Sequence, residues 1–206
     1  MTDAPVSPTV YVVDDDASVR RSIKRTLEAA GYEVAVFASP LEFLDRVRPD
    51  RPDCLVLDLR MPGMTGLELQ ELLGGRGGPL PIVFMSGHGD VPSAVQAMKA
   101  GALDFLPKPF DDTLLLAAVE RAIAHGWAIR DERVAREAAH ARFATLSPQE
   151  QRVCRLVAQG LLNKQIASEL DLAEQTVRVH RGHVMKKLEV ESVAELVRLL
   201  ARIEDV

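Results

Sequence analysis

The first half of the chain alternates short apolar runs with longer segments of helical periodicity. Five runs have the length of β-strands: TVYVV (9–13), EVAVF (33–37), CLVLD (54–58), PIVFM (81–85) and DFLPK (104–108). The segments between them repeat apolar residues every three or four positions, and a fifth helical pattern begins at Thr113. Because strands that alternate with helices pair side by side, the pattern predicts an α/β domain. We expect a doubly wound sheet of five parallel strands, as in flavodoxin-like folds.

The second half of the chain has no strand signal. Residues 114–144 are rich in Ala, Arg and Glu, which predicts that the last helix of the first domain continues into a helical linker. In LSPQE (146–150), Ser147 can cap a helix and Glu150 can complete a capping box. Three more helices are predicted at about 163–170, 174–188 and 192–203. The predicted domains are an α/β domain at 8–124, a linker at 125–143 and an all-α four-helix domain at 144–206.

Charge and composition separate the two halves and exclude some classes of protein. Residues 1–124 have a net charge of −6, whereas residues 144–206 have a net charge of 0, which indicates modules with different partners. We find no apolar run long enough to span a bilayer, and residues 1–10 do not resemble a signal peptide. Cys54 and Cys154 lack metal-ligand spacing. We expect a cytoplasmic protein that does not bind membranes.

Polar side chains come at the ends of four of the five predicted strands. They are Asp14, Asp15 and Asp16 after the first strand, Asp58 at the end of the third, Ser86 after the fourth and Lys108 at the end of the fifth. Because the carboxyl ends of parallel strands meet at one edge of a sheet, we expect these groups to lie together. Each residue alone is equally typical of a solvated turn, and only their combination points to a functional site.

A cluster of carboxylates needs a counter-charge. A hard ion such as Mg²⁺ prefers oxygen ligands and retains several waters, and Lys108 adds a second cation. Carboxylate nucleophiles form aspartyl phosphates, and in-line phosphoryl transfer needs mainly positioning and charge neutralisation. The cluster therefore predicts Mg²⁺-dependent phosphoryl transfer to a carboxylate.

The segments VVDDDASVRRSIKRTL, VLDLRMPGMTGLEL and VFMSGHGDVPSAVQAMKAGALDFLPKPF resemble a two-component receiver domain over about residues 8–124. The resemblance implies that Asp58 is the phosphoacceptor. It also implies that Asp15, Asp58 and the backbone carbonyl of Arg60 bind Mg²⁺, and that Asp14 acts on the metal through a water.

The same resemblance implies how the domain switches. Ser86 would hydrogen-bond the phosphoryl group, Lys108 would pair with Asp58 and its phosphate, and Phe105 would be the switch aromatic. Many receivers have Tyr at the position of Phe105, so switching here must work through ring packing. Asp16 has no role in the family pattern and is expected at the surface. The resemblance also suggests a cis Lys108–Pro109 bond.

The segment LSPQEQRVCRLVAQGLLNKQIASELDLAEQTVRVHRGHVMKKL resembles the DNA-binding domain of LuxR/FixJ/NarL-type regulators, over about residues 144–206. NKQIASEL would be the scaffold helix and EQTVRVHRGHVMKKL the recognition helix of a helix-turn-helix. At 100° per residue, Val177, Val184 and Leu188 form an apolar inner face, with His180 packed at its edge. Ala173 stands where the family often has a Ser or Thr cap, so we expect a recognition helix that is only marginally ordered without DNA.

The outer face of the recognition helix supplies the DNA-contact candidates. Residues 175–188 carry four basic residues and no acidic ones, within a domain of zero net charge, which favours a local DNA-binding face. Arg178 and Val179 are predicted at base edges, and Gly182 would let the helix approach closely. The remaining candidates, which would contact phosphates or lie on the same face, are Lys164, Thr176, Arg181 and Lys186.

The two resemblances together imply a phosphorylation-dependent transcriptional regulator and not an enzyme. Its expected partners are a sensor histidine kinase, double-stranded operator DNA, RNA polymerase and a second copy of itself, bound through residues 94–108. One alternative is a Mg²⁺-dependent phosphatase, because Asp14 and Asp16 have the spacing of its two carboxylates. That alternative leaves residues 144–206 unexplained. Another is a receiver that acts only through protein partners.

Overall fold

The structure, a computed structural model, describes residues 8–47, 53–74, 80–87 and 91–204, and its contacts divide the chain into two compact units between Arg130 and Asp131. The elements of the first unit are β1 (Thr9–Val13), α1 (Ala17–Ala29), β2 (Glu33–Phe37), α2 (Pro40–Arg46), β3 (Cys54–Asp58), α3 (Gly66–Gly74), β4 (Ile82–Gly87), α4 (Val91–Lys99) and β5 (Asp104–Lys108). The helix α5 (Asp112–Ala144) contributes residues to both units. The alternation of strands and helices is therefore as predicted.

The five strands form one parallel sheet in the order β2-β1-β3-β4-β5, which confirms the predicted fold class. The predicted connections at 49–53 and 74–81 lie largely outside the described residues. Both ends of β4 differ from the prediction: it begins at Ile82 and extends to Gly87, so Ser86 lies within the strand, opposite Pro107, and does not follow it. The carboxyl ends of β1, β3, β4 and β5 meet at one edge of the sheet.

Two apolar layers cover the two faces of the sheet. Phe43, Leu57 and Phe84 belong to one layer, and Leu27 and Val56 to the other. All five residues of β3 are buried because this central strand is covered on both faces. This explains why its sequence is continuously apolar and does not alternate with polar residues. A rigid, doubly covered β3 holds Asp58 at a defined position.

The second unit is helical. It contains the C-terminal part of α5 and the helices α6 (Pro148–Ala158), α7 (Asn163–Leu170), α8 (Glu174–Lys187) and α9 (Val193–Glu204). Ser147 and Glu150 form the predicted capping box at the start of α6. Neither α7 nor α8 has a side-chain N-cap, because Leu162 and Ala173 occupy those positions and have no acceptor. Buried apolar side chains from all five helices form one core.

The predicted linker is part of the continuous helix α5. Trp127 packs on the core of the first unit, and the guanidinium of Arg130 lies 5.2 Å from the centre of its ring. Ala139, three turns further on, is buried in the core of the second unit. The residues of α5 before the division therefore pack on the core of the first unit, and those after it pack on the core of the second. No helix within the described residues is long and apolar enough to cross a membrane.

Candidate functional site

Two buried carboxylates and one ammonium group form the centre of the site at the carboxyl edge of the sheet. Lys108 Nζ lies 2.6 Å from Asp14 Oδ2 and 2.6 Å from Asp58 Oδ1. Asp14 is 1% exposed and Asp58 is 6% exposed. Buried charges are tolerated when they are paired, so Lys108 is the internal counter-charge of both carboxylates. The sequence predicted that these groups meet, but not that Asp14 is a direct partner of Lys108.

The titration of these groups reflects competition between burial and charge. Burial raises the pKa of Asp58, and the nearby charge of Asp14 acts in the same direction, although hydrogen bonds and the charge of Lys108 oppose it. Burial alone would lower the pKa of Lys108, but its hydrogen bonds to the two carboxylates outweigh burial and raise the pKa. Lys108 therefore stays charged. With two carboxylates around one ammonium, the cluster favours a further cation.

Asp15 and Asp16 lie outside the buried pair. Both are exposed, and the side chain of Asp15 has no hydrogen bond or ion pair among the residues that the structure describes. Asp16 caps α1: its Oδ1 accepts hydrogen bonds from Ser18 N at 2.7 Å and from Ser18 Oγ at 2.6 Å. The hydroxyl of Ser18 and its backbone N–H lower the pKa of Asp16. The surface position was predicted, but the cap was missed, although Asp before a helix is a known signal.

The backbone around the carboxylates is fixed by further contacts. Arg20 Nη1 donates to the backbone oxygen of Asp14 at 2.6 Å, and Arg60 N donates to Asp58 Oδ2 at 3.0 Å. Gly66 lies so close that a Cβ there would come within 2.5 Å of the Asp58 backbone oxygen. A side chain at position 66 would therefore displace the strand end that carries Asp58. Sequence reasoning did not single out Arg20 or Gly66.

The donor set fits Mg²⁺ with few protein ligands. Both oxygens of Asp14 are occupied, since Oδ2 faces Lys108 and Oδ1 accepts from Asp16 N at 2.8 Å. In the described part of the chain, no three His, Cys, Asp or Glu side chains form a metal-binding group. Mg²⁺ is commonly held by one or two carboxylates and waters. Both oxygens of Asp58 are occupied as well, by Lys108 Nζ and Arg60 N, but a carboxylate oxygen can accept a second contact. Asp58 and the exposed Asp15 therefore meet that requirement, and the more deeply buried Asp14 is suited to an indirect contact.

Of the two predicted switch residues, Ser86 lies on the strand beside β3, and Phe105 lies on the surface between α4 and β5. Ser86 is buried, and its Oγ is 3.5 Å from Gly87 O, at the limit of a hydrogen bond. Phe105 is half-buried and lines an open apolar groove of about 460 Å³ between α4 and β5. The other lining residues are Val91, Ala94, Val95, Met98, Lys99 and Pro107. The Lys108–Pro109 bond is cis, as the resemblance suggested.

The second candidate surface is the outer face of α8. Val177, Val184 and Leu188 are buried, as the helical projection predicted. The residues proposed to face DNA that are exposed are Lys164, Thr176, Arg178, Val179, Gly182 and Lys186. Val179 is 47% exposed, so its methyl groups are available on the outer face. A Cβ at Gly182 would have no neighbour within 4 Å, so the surface is open there.

Arg181 and His180 occupy the boundary between the outer and inner faces of α8. Arg181 is half-buried, and its Nη1 donates to Asn163 Oδ1 at 3.1 Å. Arg181 therefore joins α8 to the first turn of α7, a contact that the sequence did not predict. His180 is half-buried, in agreement with a packing role, and its Nδ1 has no hydrogen-bond partner among the described residues.

A charged pair connects the end of α8 to the start of α6. Glu150 is buried and accepts from Lys187 Nζ at 2.6 Å and from Ser147 N at 2.8 Å. The hydrogen bond from Lys187, followed by that from the Ser147 backbone, lowers the pKa of Glu150 to about 2. His183 Nδ1 lies 3.7 Å from the same carboxylate. Sequence reasoning found the cap but missed the contact with the recognition helix.

Comparison with known families agrees with this two-part arrangement. The family "Response regulator receiver domain" matches residues 10–120, and the family "Bacterial regulatory proteins, luxR family" matches residues 144–200. Nodulation protein W of Bradyrhizobium diazoefficiens is 48% identical over 96% of this chain and 87% of its own length. Transcriptional regulatory protein FixJ of the same organism is 46% identical over 94% of each chain.

Two solved structures resemble the whole chain. The response regulator StyR has a TM-score of 0.84 and 48% identity, covering 96% of this chain and 100% of its own. Full-length FixJ from B. japonicum has a TM-score of 0.60 and 42% identity, covering 97% and 98%. Both structures carry the two kinds of fold found here in one chain.

Proposed function

This chain belongs to the response regulators that join a receiver domain to a LuxR-type DNA-binding domain, and we propose that Asp58 is its phosphoacceptor. Members of this family regulate transcription under the control of phosphorylation in two-component systems. The observation that carries the assignment is the position of Asp58 at the end of β3, between Lys108 Nζ and Arg60 N. A partner histidine kinase would supply the phosphoryl group. The proposed modules are 8–124, 125–143 and 144–206.

Asp15, Asp58 and the Arg60 carbonyl would hold Mg²⁺, with Asp14 acting through a water. Bound there, Mg²⁺ neutralises negative charge on phosphoryl oxygens. Asp14 would chiefly hold Lys108 in place, because one of its oxygens accepts from Lys108 and the other from the backbone. Lys108 would then bind an oxygen of the phosphoryl group while keeping its own charge.

Phosphorylation adds roughly −1.5 to −2 charges to the site. The Ser86 hydroxyl lies 3.5 Å from Gly87 O and has no other hydrogen bond among the described residues, and it would turn towards the new phosphoryl oxygens. Phe105 would then repack against α4, which changes the apolar groove between α4 and β5. We expect this to shift a population that already exists and not to create a new state.

The α4–β5 surface would bind a second copy of the chain. Apart from Val91, it lies within the proposed segment 94–108. The side chains of Val91, Val95 and Met98 are exposed on this surface. Exposed apolar groups this close together favour association. A dimer would present two recognition helices to an operator with two half-sites and so raise its effective affinity.

The recognition helix α8 would read double-stranded DNA. Arg178 would contact a base edge and Val179 a thymine methyl, because both lie exposed on the outer face. Lys164, Thr176 and Lys186 would contact phosphates. Arg181 would support DNA binding by holding α8 on α7 through its hydrogen bond to Asn163. Its remaining N–H groups could reach a phosphate. Transcription control through RNA polymerase would follow from operator binding.

Asp58→Asn tests the phosphoacceptor. With acetyl phosphate and Mg²⁺, we expect the variant to take up no phosphate on a phosphate-affinity gel and to bind operator like unphosphorylated wild type. Asp45→Asn, the same change at an exposed position of α2, should behave like wild type. Phosphorylation or donor-stimulated DNA binding of Asp58→Asn at wild-type levels would contradict the assignment.

The phosphatase alternative is disfavoured by the contacts of Asp16. That mechanism requires Asp16 to face the same substrate as Asp14, but Asp16 is exposed and caps α1. Multiple turnover of a small phosphomonoester would support the alternative. A receiver that acts only through proteins is tested by DNA binding at low salt, where we expect measurable affinity.

A further inference from the structure

The C-terminal end of helix α4 is packed into the first unit. Ala97 is the one buried residue of α4, whereas Val91 near its start is 66% exposed. The C-terminal end is closed by backbone bonds from Ala102 N to Ala97 O at 3.0 Å and from Gly101 N to Met98 O at 3.1 Å. Gly101 has the positive φ of 92° that this type of helix end requires.

A buried glutamine from the neighbouring helix binds the same end of α4. Gln70 of α3 is 6% exposed, and its Nε2 donates to Ala97 O at 3.1 Å and to Ala100 O at 3.2 Å. The two carbonyl acceptors identify the nitrogen, since an oxygen in its place would face two other oxygens. The Oε1 of Gln70 is buried without a hydrogen-bond partner among the described residues. A buried unpaired acceptor is unfavourable, so an apolar side chain would suit this position better if packing alone mattered.

The helix that carries Gln70 is itself fixed to the phosphoacceptor strand. Gly66 N, at the start of α3, donates to Leu59 O at 3.0 Å. A Cβ at Gly66 would come within 2.5 Å of Asp58 O, so the helix and the strand end are in direct contact. Gln70 lies about one helical turn beyond Gly66. α3 is therefore a short, rigid connection from Asp58 to the C-terminal end of α4.

We propose that Gln70 is a positioning residue that anchors the C-terminal end of α4 during switching. The anchor keeps residues 97–102 in place relative to Asp58 while the N-terminal end of α4, which follows Ser86 along the chain, moves. It thereby holds Met98 in place beside Phe105. This inference rests on the proposed function, in which phosphorylation of Asp58 rearranges α4 and β5.

Hydrogen exchange of the full-length chain, with and without beryllofluoride and Mg²⁺ as the phosphoryl mimic, tests the anchor. In wild type kept dilute enough to stay monomeric, we expect beryllofluoride to change exchange in residues 91–96 and to leave residues 97–102 unaltered. Gln70→Met removes both donors and keeps the side-chain length. We expect it to accelerate exchange of residues 97–102 about tenfold relative to α1, and to make that segment respond to beryllofluoride.

Two control variants separate anchoring from general destabilisation. Glu71→Met introduces the same methionine at the exposed next position of α3 and should exchange like wild type. Val119→Ala shortens a buried side chain of α5 on the opposite face of the sheet and should not accelerate residues 97–102 relative to α1. If Gln70→Met folds poorly by circular dichroism, Gln70→Leu replaces it. Equal relative exchange of residues 97–102 in wild type and the Gln70 variant would overturn the inference.

Dimerisation is measured separately by sedimentation equilibrium at higher protein concentration. We expect beryllofluoride to dimerise wild type and the dimer of Gln70→Met to be about tenfold weaker. If wild type stays monomeric, the proposed dimer is wrong, while the exchange data still decide the role of Gln70. If wild type dimerises and Gln70→Met dimerises equally well, the anchor is not needed for switching and the inference fails.

Discussion

The two units each place a lysine ammonium on a carboxylate, with opposite results. In the first unit, Lys108 is hydrogen-bonded to both Asp14 and Asp58, and burial raises the pKa of Asp58. In the second, Lys187 serves Glu150 alone, and the pKa of Glu150 falls to about 2. The first cluster has more negative than positive charge, whereas the charge of the second is matched. The first is suited to accept new charged groups, and the second holds two helices together.

The difference also lies in exposure. The Lys108 side chain is 23% exposed and that of Lys187 is 41% exposed. Water screens the Lys187–Glu150 pair more strongly, so breaking that pair lowers the free energy of unfolding by less. Asp14 and Asp58, by contrast, have little water to replace a lost ammonium. The comparison therefore predicts that equivalent substitutions in the two units have unequal effects.

Replacing each lysine by methionine gives the largest expected contrast. In metal-free buffer at neutral pH, Lys108→Met leaves two buried carboxylates without their ammonium, and we expect a loss of about 2–3 kcal/mol in unfolding free energy. Lys187→Met should cost about 0.5–1 kcal/mol. Urea unfolding followed by Trp127, the only tryptophan, reports the first unit, and hydrogen exchange of α6 and α8 reports the second.

Added Mg²⁺ provides the control for this contrast. A divalent cation can replace part of the missing charge, so we expect it to restore stability in Lys108→Met and to leave Lys187→Met unchanged. Equal losses in the two variants, or no response of Lys108→Met to Mg²⁺, would show that the two charge clusters do not differ in the way described.

A surface charge of the second unit should affect binding without affecting stability. Arg178→Ala removes an exposed guanidinium on the outer face of α8, and we expect operator affinity to fall by about tenfold or more. Arg198→Ala, at an exposed position of α9, is the matched control. Fluorescence anisotropy with operator and unrelated DNA measures both. An equal loss of operator affinity in the two variants would show that Arg178 acts only through general attraction between positive charge and DNA.

The pH dependence of stability should have opposite signs in the two clusters. The depressed pKa of Glu150 means that the unfolded chain binds more protons between pH ~4.5 and ~2, so its contribution, about 1 kcal/mol, is lost as pH falls through that range. The raised pKa of Asp58 means that the folded chain binds more protons, so its contribution is lost as pH rises through the folded pKa.

Glu150→Gln and Asp58→Asn measure these contributions by difference from wild type. We expect Glu150→Gln to flatten the acid side of the stability curve of the second unit. In metal-free buffer, wild type should lose unfolding free energy in the first unit as pH rises, and Asp58→Asn should remove that loss. Unfolding is followed at a series of pH values with the probes described above. Curves that stay parallel to wild type would contradict the assigned pKa shifts.

The smallest expected effect concerns the missing cap of α8. Ala173 has no side-chain acceptor, so Ala173→Ser should stabilise the second unit by about 0.5–1 kcal/mol. Glu174→Ser, one residue later, is a control that adds a hydroxyl without occupying the cap position. Hydrogen exchange of α8 with and without operator DNA provides the measurement. Strong protection of α8 in DNA-free wild type would argue against a marginally ordered recognition helix.

The sequence predicted the elements and the edge at which functional groups meet. Local periodicity sufficed for this, because the strands β1, β2, β3 and β5 begin and end at the predicted residues. The Ser147 capping box and the inner face of α8 were equally accessible, since both depend on residues within a few positions of one another. β4 was displaced because pairing with β5 extends it to Gly87.

The amino-acid sequence alone specifies which chemistry this protein can carry, since Asp14, Asp58 and Lys108 stand at the carboxyl ends of strands of one parallel sheet. Which of those groups hydrogen-bond to one another depends on the three-dimensional packing. Lys108 bonds to Asp14, 94 positions away, and Lys187 to Glu150, 37 positions away. Gln70 reaches the end of α4 in the same manner. Distances of a few ångströms between side chains so far apart in the chain are set by packing of the whole domain, which no local pattern encodes.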